Sequence, residues 1–182
     1  MSTFKEKAKI LSQDEIKRTI YRLTHQILEA HSDIANIVLI GIETRGVYLA
    51  RRLQAIIKEL EHIELPLGIL DITFYRDDLT AVGHKPEVKA TQIDFDFNDK
   101  TVVLVDDVLF TGRTIRAALD EIMDFGRPRK VELLVLIDRG HRELPVRADF
   151  VGKNIPTAKQ ETVKVCFDEV DGKDEVILGE KG

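Results

Sequence analysis

The chain of 182 residues is long enough for one well-developed core and short for two, so we expect a single domain over residues 1–182. Its apolar runs are far shorter than the roughly 20 residues of a membrane span, and the N-terminus lacks an apolar signal region, which predicts a cytoplasmic protein without a membrane partner. The net charge of −5 argues against nucleic-acid binding by the whole surface, but local basic patches can still form.

An amphipathic helix is predicted over residues 13–31. Ser12 is placed to cap it, and Glu15 stands three residues later, as a capping box requires. Apolar side chains recur along one face of this helix. The opposite face carries three basic side chains, Arg18, Arg22 and His25.

Buried strands alternate with helices through the rest of the chain. Strands are predicted at 36–40, 65–72, 101–105 and 130–137, and helices at 47–60 and 111–125. Shorter strands follow at 149–151, 163–167 and 176–178. Continuous apolar strands between helices indicate an α/β fold with a mainly parallel sheet covered on both faces. A ligand site is then expected outside the carboxyl ends of the strands.

The segment 74–94 is polar, aperiodic and broken by Gly83 and Pro86. A span of this length without regular structure is uncommon in a compact domain and is often a functional lid. We therefore predict a mobile loop here, poorly ordered without ligand from about Arg76 to Val88.

The most informative stretch is VVLVDDVLFTGRTI, residues 102–115. A strand leads into Asp106 and Asp107, and a turn then opens a helix whose free N–H groups can bind phosphate. Gly112 allows close approach of a ligand, and Thr111 and Thr114 add hydroxyl donors. Because carboxylates accept from neutral hydroxyls, the segment suits a ribose 5-phosphate. The alternative is that the two aspartates only cap the helix.

Residues 102–114 resemble the phosphoribosyl-diphosphate motif of the type I phosphoribosyltransferases. The segments GIETRG (41–46), DITFYRDDL (71–79), DRGHRELPVRADFVGKN (138–154) and DEVDG (168–172) are similar to those of pyrimidine-operon attenuation regulators that are also uracil phosphoribosyltransferases. The resemblance implies the type I phosphoribosyltransferase fold, with a small hood from the N- and C-terminal segments. It also implies conversion of uracil and phosphoribosyl diphosphate to UMP and diphosphate, and UMP-dependent binding of pyrimidine-gene leader mRNA.

The same resemblance implies the site residues. Asp106, Asp107 and Arg76, the last in the mobile loop, would act in catalysis. The substrate-binding residues would be Thr44, Arg45, Gly46, Asp106, Asp107, Val108, Leu109, Phe110, Thr111, Gly112, Arg113, Thr114, Arg139 and Val163. Taken alone, an arginine in a turn is more often a surface residue, and a valine in a strand is more often part of the core.

For RNA, the resemblance implies two basic groups. They are Arg18, Arg22 and His25 on the first helix, and Arg142, Arg147 and Lys153 after the fourth strand. Tyr21 and Ala30 stand where some family members have threonine and arginine, and Phe110 stands where tyrosine is more usual. The RNA surface is therefore the part of the resemblance that these departures affect most.

No protein metal site is predicted, since the histidine spacing forms no ligand set. Mg²⁺ would be carried by phosphoribosyl diphosphate. A homodimer or higher homo-oligomer is expected. Three alternatives remain open: an enzyme without RNA binding, a regulator that only senses nucleotide, and a purine phosphoribosyltransferase, which shares the nucleotide motif but not the DRGHRELP segment.

Overall fold

The structure, a computed structural model, describes residues 4–75 and 90–181. The predicted loop residues from Arg76 to Val88 lie outside the described residues. In chain order the elements are β1 (Phe4–Leu11), α1 (Gln13–Ala30), β2 (Ile37–Ile42), α2 (Arg45–Glu61), β3 (Leu67–Leu70), β4 (Thr101–Leu109), α3 (Arg113–Phe125), β5 (Lys130–Asp138), β6 (Phe150–Asn154), β7 (Glu161–Cys166), α4 (Asp168–Asp171) and β8 (Glu175–Lys181). Single 3₁₀ turns occupy Ile34–Asn36 and Ile72–Tyr75.

The central sheet has the order β3-β2-β4-β5-β6, and all its neighbouring strands are parallel. Alternate residues of the middle strands face opposite sides, as a pleated strand requires. Val103 and Val105 pack with α1 and α2, while Val102 and Leu104 pack with α3. The mainly parallel α/β sheet predicted from the sequence is confirmed.

Helix α1 begins where the capping pattern predicts. The Ser12 backbone N–H donates to Glu15 Oε2 over 2.8 Å, and the Glu15 N–H returns a bond to Ser12 Oγ over 3.4 Å. The helix then buries one face against the sheet, including Ile16 and Leu23. The opposite face of α1, with Arg18, Arg22 and His25, is exposed to solvent.

A second sheet, the hood, has the antiparallel order β1-β8-β7. Its outer strand β1 was not predicted, because FKEKAKIL has little apolar alternation and most of its side chains are exposed. Pairing with β8 stabilises β1 through backbone hydrogen bonds, from Phe4 opposite Lys181 to Leu11 opposite Val176. The N- and C-terminal segments thus build the hood together.

The predicted ends of two strands and one helix were wrong in ways that matter for the site. Strand β4 runs to Leu109 and not to Val105, so Asp106 lies inside the ladder, opposite Val135. Strand β3 ends at Leu70, before the predicted end at residue 72. Helix α2 begins at Arg45, two residues earlier than predicted.

Arg52 of α2 connects the parallel sheet to the hood. Its Nη2 lies 2.6 Å from Glu169 Oε2 and 2.7 Å from Asp174 Oδ1. Its guanidinium carbon also lies 4.7 Å from the centre of the Phe167 ring, which is fully buried. Burial opposes the charged form of Arg52, but the two carboxylates outweigh it and raise the pKa of Arg52.

Arg52→Gln is expected to lower the free energy of unfolding by about 2 kcal/mol, because two carboxylates lose a charged partner and the ring loses its cation. Urea unfolding at neutral pH measures this. Arg51→Gln is the matched control, since Arg51 lies 5.6 Å from the Tyr48 ring and bridges no carboxylate in the described part of the chain. Equal stabilities of the two variants would contradict the role of Arg52.

None of the helices in residues 4–75 and 90–181 has the length and apolar character needed to cross a membrane.

Candidate functional site

The carboxyl ends of β2, β3 and β4 surround one cleft of about 300 Å³. It brings together several residues that the sequence predicted, among them Thr44, Asp106, Asp107 and Thr114. It also contains Asp71, which follows β3 and was not predicted as a site residue. Asp71 was predicted to lie within the strand 65–72, so the sequence did not indicate that it follows the end of β3 and enters the cleft.

Asp106 and Asp107 form a closely coupled carboxylate pair. The backbone N–H of Asp107 donates to Asp106 Oδ1 over 2.9 Å, and Asp106 is 7% exposed. Burial and the neighbouring charge of Asp107 raise the pKa of Asp106 well above its ordinary value. Burial also raises the pKa of Asp107, against the opposing effects of the Asp106 hydrogen bond and the Arg45 charge. The pair therefore holds a proton to a higher pH than an isolated aspartate would.

This shifted pKa predicts a pH-dependent stability. The folded chain holds a proton on Asp106 that the unfolded chain releases, so the stabilisation is full below the ordinary pKa of 3.8 and is lost as the pH rises through the raised value. Asp106→Asn, which cannot ionise, should lose less stability than the wild type as the pH rises from the ordinary pKa of 3.8 through the raised one. Urea unfolding across this range measures the difference. Parallel curves for the two proteins would contradict it.

The turn 110–112 and the start of α3 have the geometry of a phosphate cradle. Gly112 caps α3 with φ at +91° and, being glycine, offers no side chain of its own to the helix end. A Cβ at Gly112 would lie 3.2 Å from the Val146 side chain, so both conformation and space favour glycine. The Thr111 hydroxyl accepts from the Arg113 N–H over 3.3 Å. The next N–H groups point out of the helix end, where an anion can accept from them.

The turn after β2 lies beside this cradle. Gly46 allows α2 to approach β4, since a Cβ there would collide with the carbonyl oxygen of Val105. The peptide bond between Glu43 and Thr44 is cis. Arg45 lines the cleft and also pairs with Asp171 of the hood over 2.8 Å. Burial opposes the charged form of Arg45, but the neighbouring carboxylates of Asp171 and Asp107 outweigh it and raise the pKa of Arg45.

Arg139 is almost fully buried, with 5% of its surface exposed. Its guanidinium carbon lies 3.9 Å from the centre of the Phe110 ring. It donates to Thr157 Oγ1 over 3.2 Å and to the Ala158 carbonyl over 3.1 Å. Burial lowers the pKa of Arg139. The Phe110–Arg139 stack thus joins the phosphate turn to the segment that enters the hood.

Other predicted substrate residues lie away from the cleft. Val163 is 8% exposed and packs in the core, as a valine in a strand usually does. Leu109 is buried in the cluster on the α3 side of the sheet. Arg113 is exposed at the rim and pairs with Glu143 over 2.6 Å. Arg76 lies outside the described residues.

A buried polar network under the cleft was missed at the sequence level. The Thr91 hydroxyl donates to Glu121 Oε1 over 2.5 Å and accepts from the Asp71 N–H over 3.0 Å. Asp71 Oδ1 in turn accepts from the Thr73 N–H over 3.0 Å. Burial and the charge of Asp71 raise the pKa of Glu121. The signal was weak because Glu121 resembles any solvent-facing helix residue.

The basic groups predicted for RNA meet along α1 and the edge strand β6. The guanidinium of Arg22 donates to the Gly152 carbonyl, which joins the helix to the strand. Hydrogen bonds from Ser12 and the nearby charges of Lys153 and Arg18 lower the pKa of Glu15, so both cations lie near one carboxylate. His25, Arg18, Arg22, Lys153 and Arg147 are all exposed. We refer to these five as the basic face.

Arg142, the sixth residue predicted for RNA, differs from the basic face because its guanidinium is bonded within the protein. Its guanidinium donates to the carbonyls of Phe110 over 2.8 Å and Val146 over 2.9 Å, and it pairs with Asp138. These bonds hold the loop after β5 to the phosphate turn. Its donors are therefore engaged within the protein.

The cleft provides oxygen ligands for magnesium only in part. Among the residues that the structure describes, no three His, Cys, Asp or Glu side chains form a metal-ligand set. The cleft does offer hard oxygen donors from Asp71, Asp106, Asp107 and threonine hydroxyls. These fit Mg²⁺ that arrives on a diphosphate and keeps most of its ligands from water and phosphate oxygens.

The parallel sheet, the hood and the carboxylate pair beside a phosphate cradle define a phosphoribosyltransferase. The sequence profile described as "Phosphoribosyl transferase domain" matches residues 7–169. The crystal structure of the hypoxanthine phosphoribosyltransferase of Trypanosoma cruzi superposes with a TM-score of 0.72 at 16% identity, covering 97% of this chain and 98% of that one. At this identity the likeness shows the fold alone.

The chain belongs to the PyrR family. It is 56% identical to the "Bifunctional protein PyrR" of Thermus aquaticus over 175 residues, which cover 96% of this chain and 97% of the relative. The protein of the same name from Caldicellulosiruptor bescii is 54% identical over 178 residues, covering 98% and 96%. The resemblance noted in the sequence is confirmed.

Proposed function

We propose that the protein transfers ribose 5-phosphate from phosphoribosyl diphosphate to uracil, and that with UMP bound it binds the leader mRNA of pyrimidine genes to promote transcription termination. The carrying observation is the cleft that joins Asp106 and Asp107 to the α3 cradle and to the turn after β2. Membership of the PyrR family supports the second activity. Self-association into a homo-oligomer is part of the proposal, and light scattering tests it.

In the transfer, the bond from ribose C1 to the diphosphate oxygen breaks and a bond from C1 to uracil N1 forms, while N1 loses its proton. The 5-phosphate lies on the N–H groups at the start of α3, with hydroxyls from Thr111 and Thr114. Asp106 and Asp107 accept from the ribose hydroxyls, and their negative charge stabilises the positive charge that develops on the sugar. Diphosphate leaves toward Thr44, Arg45 and Gly46.

Magnesium, when bound to the diphosphate, neutralises charge on the leaving group. The chain's part is to hold that group in place. Arg45 supplies a cation at the turn after β2, where Asp171 fixes its orientation through two bonds of 2.8 and 3.3 Å. Burial of the carboxylate pair favours binding of a ligand that can donate to it or carry a cation beside it.

Uracil is proposed to lie next to the Phe110–Arg139 stack. Uracil has two N–H donors and two carbonyls, so its site must offer both acceptors and donors. The buried Arg139 brings a positive charge to this wall. A purine is the competing substrate, because the fold neighbours include purine enzymes.

An assay with labelled uracil and phosphoribosyl diphosphate tests the enzymatic part, with hypoxanthine and guanine as competing bases. UMP formation that needs Mg²⁺ and is not reduced by excess purine is the expected result. Transfer to hypoxanthine in preference to uracil would identify a purine enzyme. Absence of transfer to any base would leave a nucleotide-sensing regulator.

A further inference from the structure

A second cleft, of about 430 Å³, lies between α1 and the chain around β6. Its apolar lining comes from Ala148, Phe150 and Val151, and its polar lining includes Gln26 of α1 and Asn154 at the end of β6. This size and mixture of surfaces are typical of a small-molecule or single-base site. The cleft lies at the other end of the basic face from Arg18.

Polar groups in this cleft have bonding capacity that the protein does not use. The side-chain amides of Gln26 and Asn154 and the guanidinium of Arg147 have no hydrogen-bond or ion-pair partner in the part of the chain that the structure describes. Arg139 and Arg142, by contrast, are each bonded to at least two protein groups. These three side chains are reached by solvent, so a ligand that enters the cleft can bond them beside the apolar surface.

Acidic groups in the cleft show which kind of ligand fits. Asp149 uses Oδ2 to accept from the Leu133 N–H over 2.8 Å, which leaves Oδ1 as an acceptor. A carboxylate repels phosphate but accepts from an amino group. The side-chain amides of Gln26 and Asn154 offer both donors and acceptors, as the edge of a nucleobase requires. The planar guanidinium of Arg147 can stack on such a base.

We propose that this cleft binds one unpaired RNA base that carries an exocyclic amino group, adenine, guanine or cytosine. The base is read by Gln26, Asn154 and Asp149, and the neighbouring phosphates lie on Lys153 and Arg22. The inference rests on the proposed RNA binding and adds the element of sequence recognition to it. Uracil lacks an amino group, so UMP is not a ligand of this cleft.

The first test replaces the two amides, in a Gln26→Ala, Asn154→Ala double variant. Its affinity for a pyrimidine-gene leader hairpin should fall by about 10- to 100-fold, the usual effect of losing a bidentate base contact. The dependence of affinity on salt should stay as in the wild type, because no phosphate contact is lost. Gln13→Ala is the control, since Gln13 lies on the α2 side of the same helix. UMP synthesis and melting temperature should not change.

The second test uses the wild-type protein and altered RNA. Inosine replaces each unpaired guanosine, purine riboside each unpaired adenosine, and uridine each unpaired cytidine. One such change should weaken binding to the wild type and leave binding to the double variant unaffected. Wild-type affinity in the double variant, or equal affinity for every altered RNA, would overturn the base site while leaving RNA binding in place. Failure of the wild type to bind the hairpin at all would overturn both proposals.

Discussion

Replacement of Asp106 and Asp107 together by asparagine is expected to lower uracil phosphoribosyl transfer by at least about a thousandfold. Two buried carboxylates at the centre of the cleft lose the charge that stabilises the sugar in the transition state. The fold should survive, because asparagine has nearly the same shape and the raised pKa of Asp106 shows that its charged form is costly when buried. A radiometric assay and urea unfolding measure the two effects.

Asp120→Asn is the matched control for this variant. Asp120 lies on the exposed face of α3, where it pairs with Arg116 over 2.8 Å, and it does not line the cleft. It should keep the activity of the wild type. An unfolded double variant, or a folded one with normal turnover, would count against the assignment of the carboxylate pair.

Arg18→Gln combined with Arg22→Gln is expected to weaken leader-RNA binding and its dependence on salt. The slope of log K against log salt concentration should become shallower by roughly 1.4, since each lost phosphate contact removes about 0.7 for single strands. Both side chains lie on the basic face, away from the cleft that contains Asp106 and Asp107, so UMP synthesis should stay close to the wild-type rate. Filter binding over a range of salt concentrations measures the slope.

Lys17→Gln is the control for the RNA variant. Lys17 is adjacent to Arg18 in sequence but lies on the α2 side of α1, with Tyr21 and Ala55. It should leave both affinity and slope unchanged. If the arginine variant kept wild-type affinity, or if Lys17→Gln weakened binding equally, the basic face would not be the RNA surface.

Much of the fold could be predicted from local sequence patterns. Strands with unbroken apolar runs, such as Val102–Val105, were predicted as buried because burial removes their apolar surface from water. The capping box of Ser12 and Glu15 located the start of α1 for a similarly local reason. The carboxylate pair was found because it follows such a strand and precedes a helix.

Long-range pairings could not be predicted in this way. Strand β1 has a polar sequence, and only its pairing with β8 makes it a strand. Arg142 looked like a free surface cation, but it bonds the Phe110 carbonyl, 32 residues away in sequence. The pairing of Arg45 with Asp171, 126 residues away, depends on how the hood folds back over α2. Such contacts follow from tertiary structure and leave little local signal.

Titration of the pyrimidine-gene leader hairpin by filter binding, with and without UMP, tests the central claim most directly. UMP is proposed to bind in the cleft of Asp106 and Asp107, and RNA on the basic face of the same chain. UMP should therefore tighten RNA binding, and the RNA should in turn tighten UMP binding. A hairpin that binds equally well with and without UMP, or does not bind at all, would contradict it.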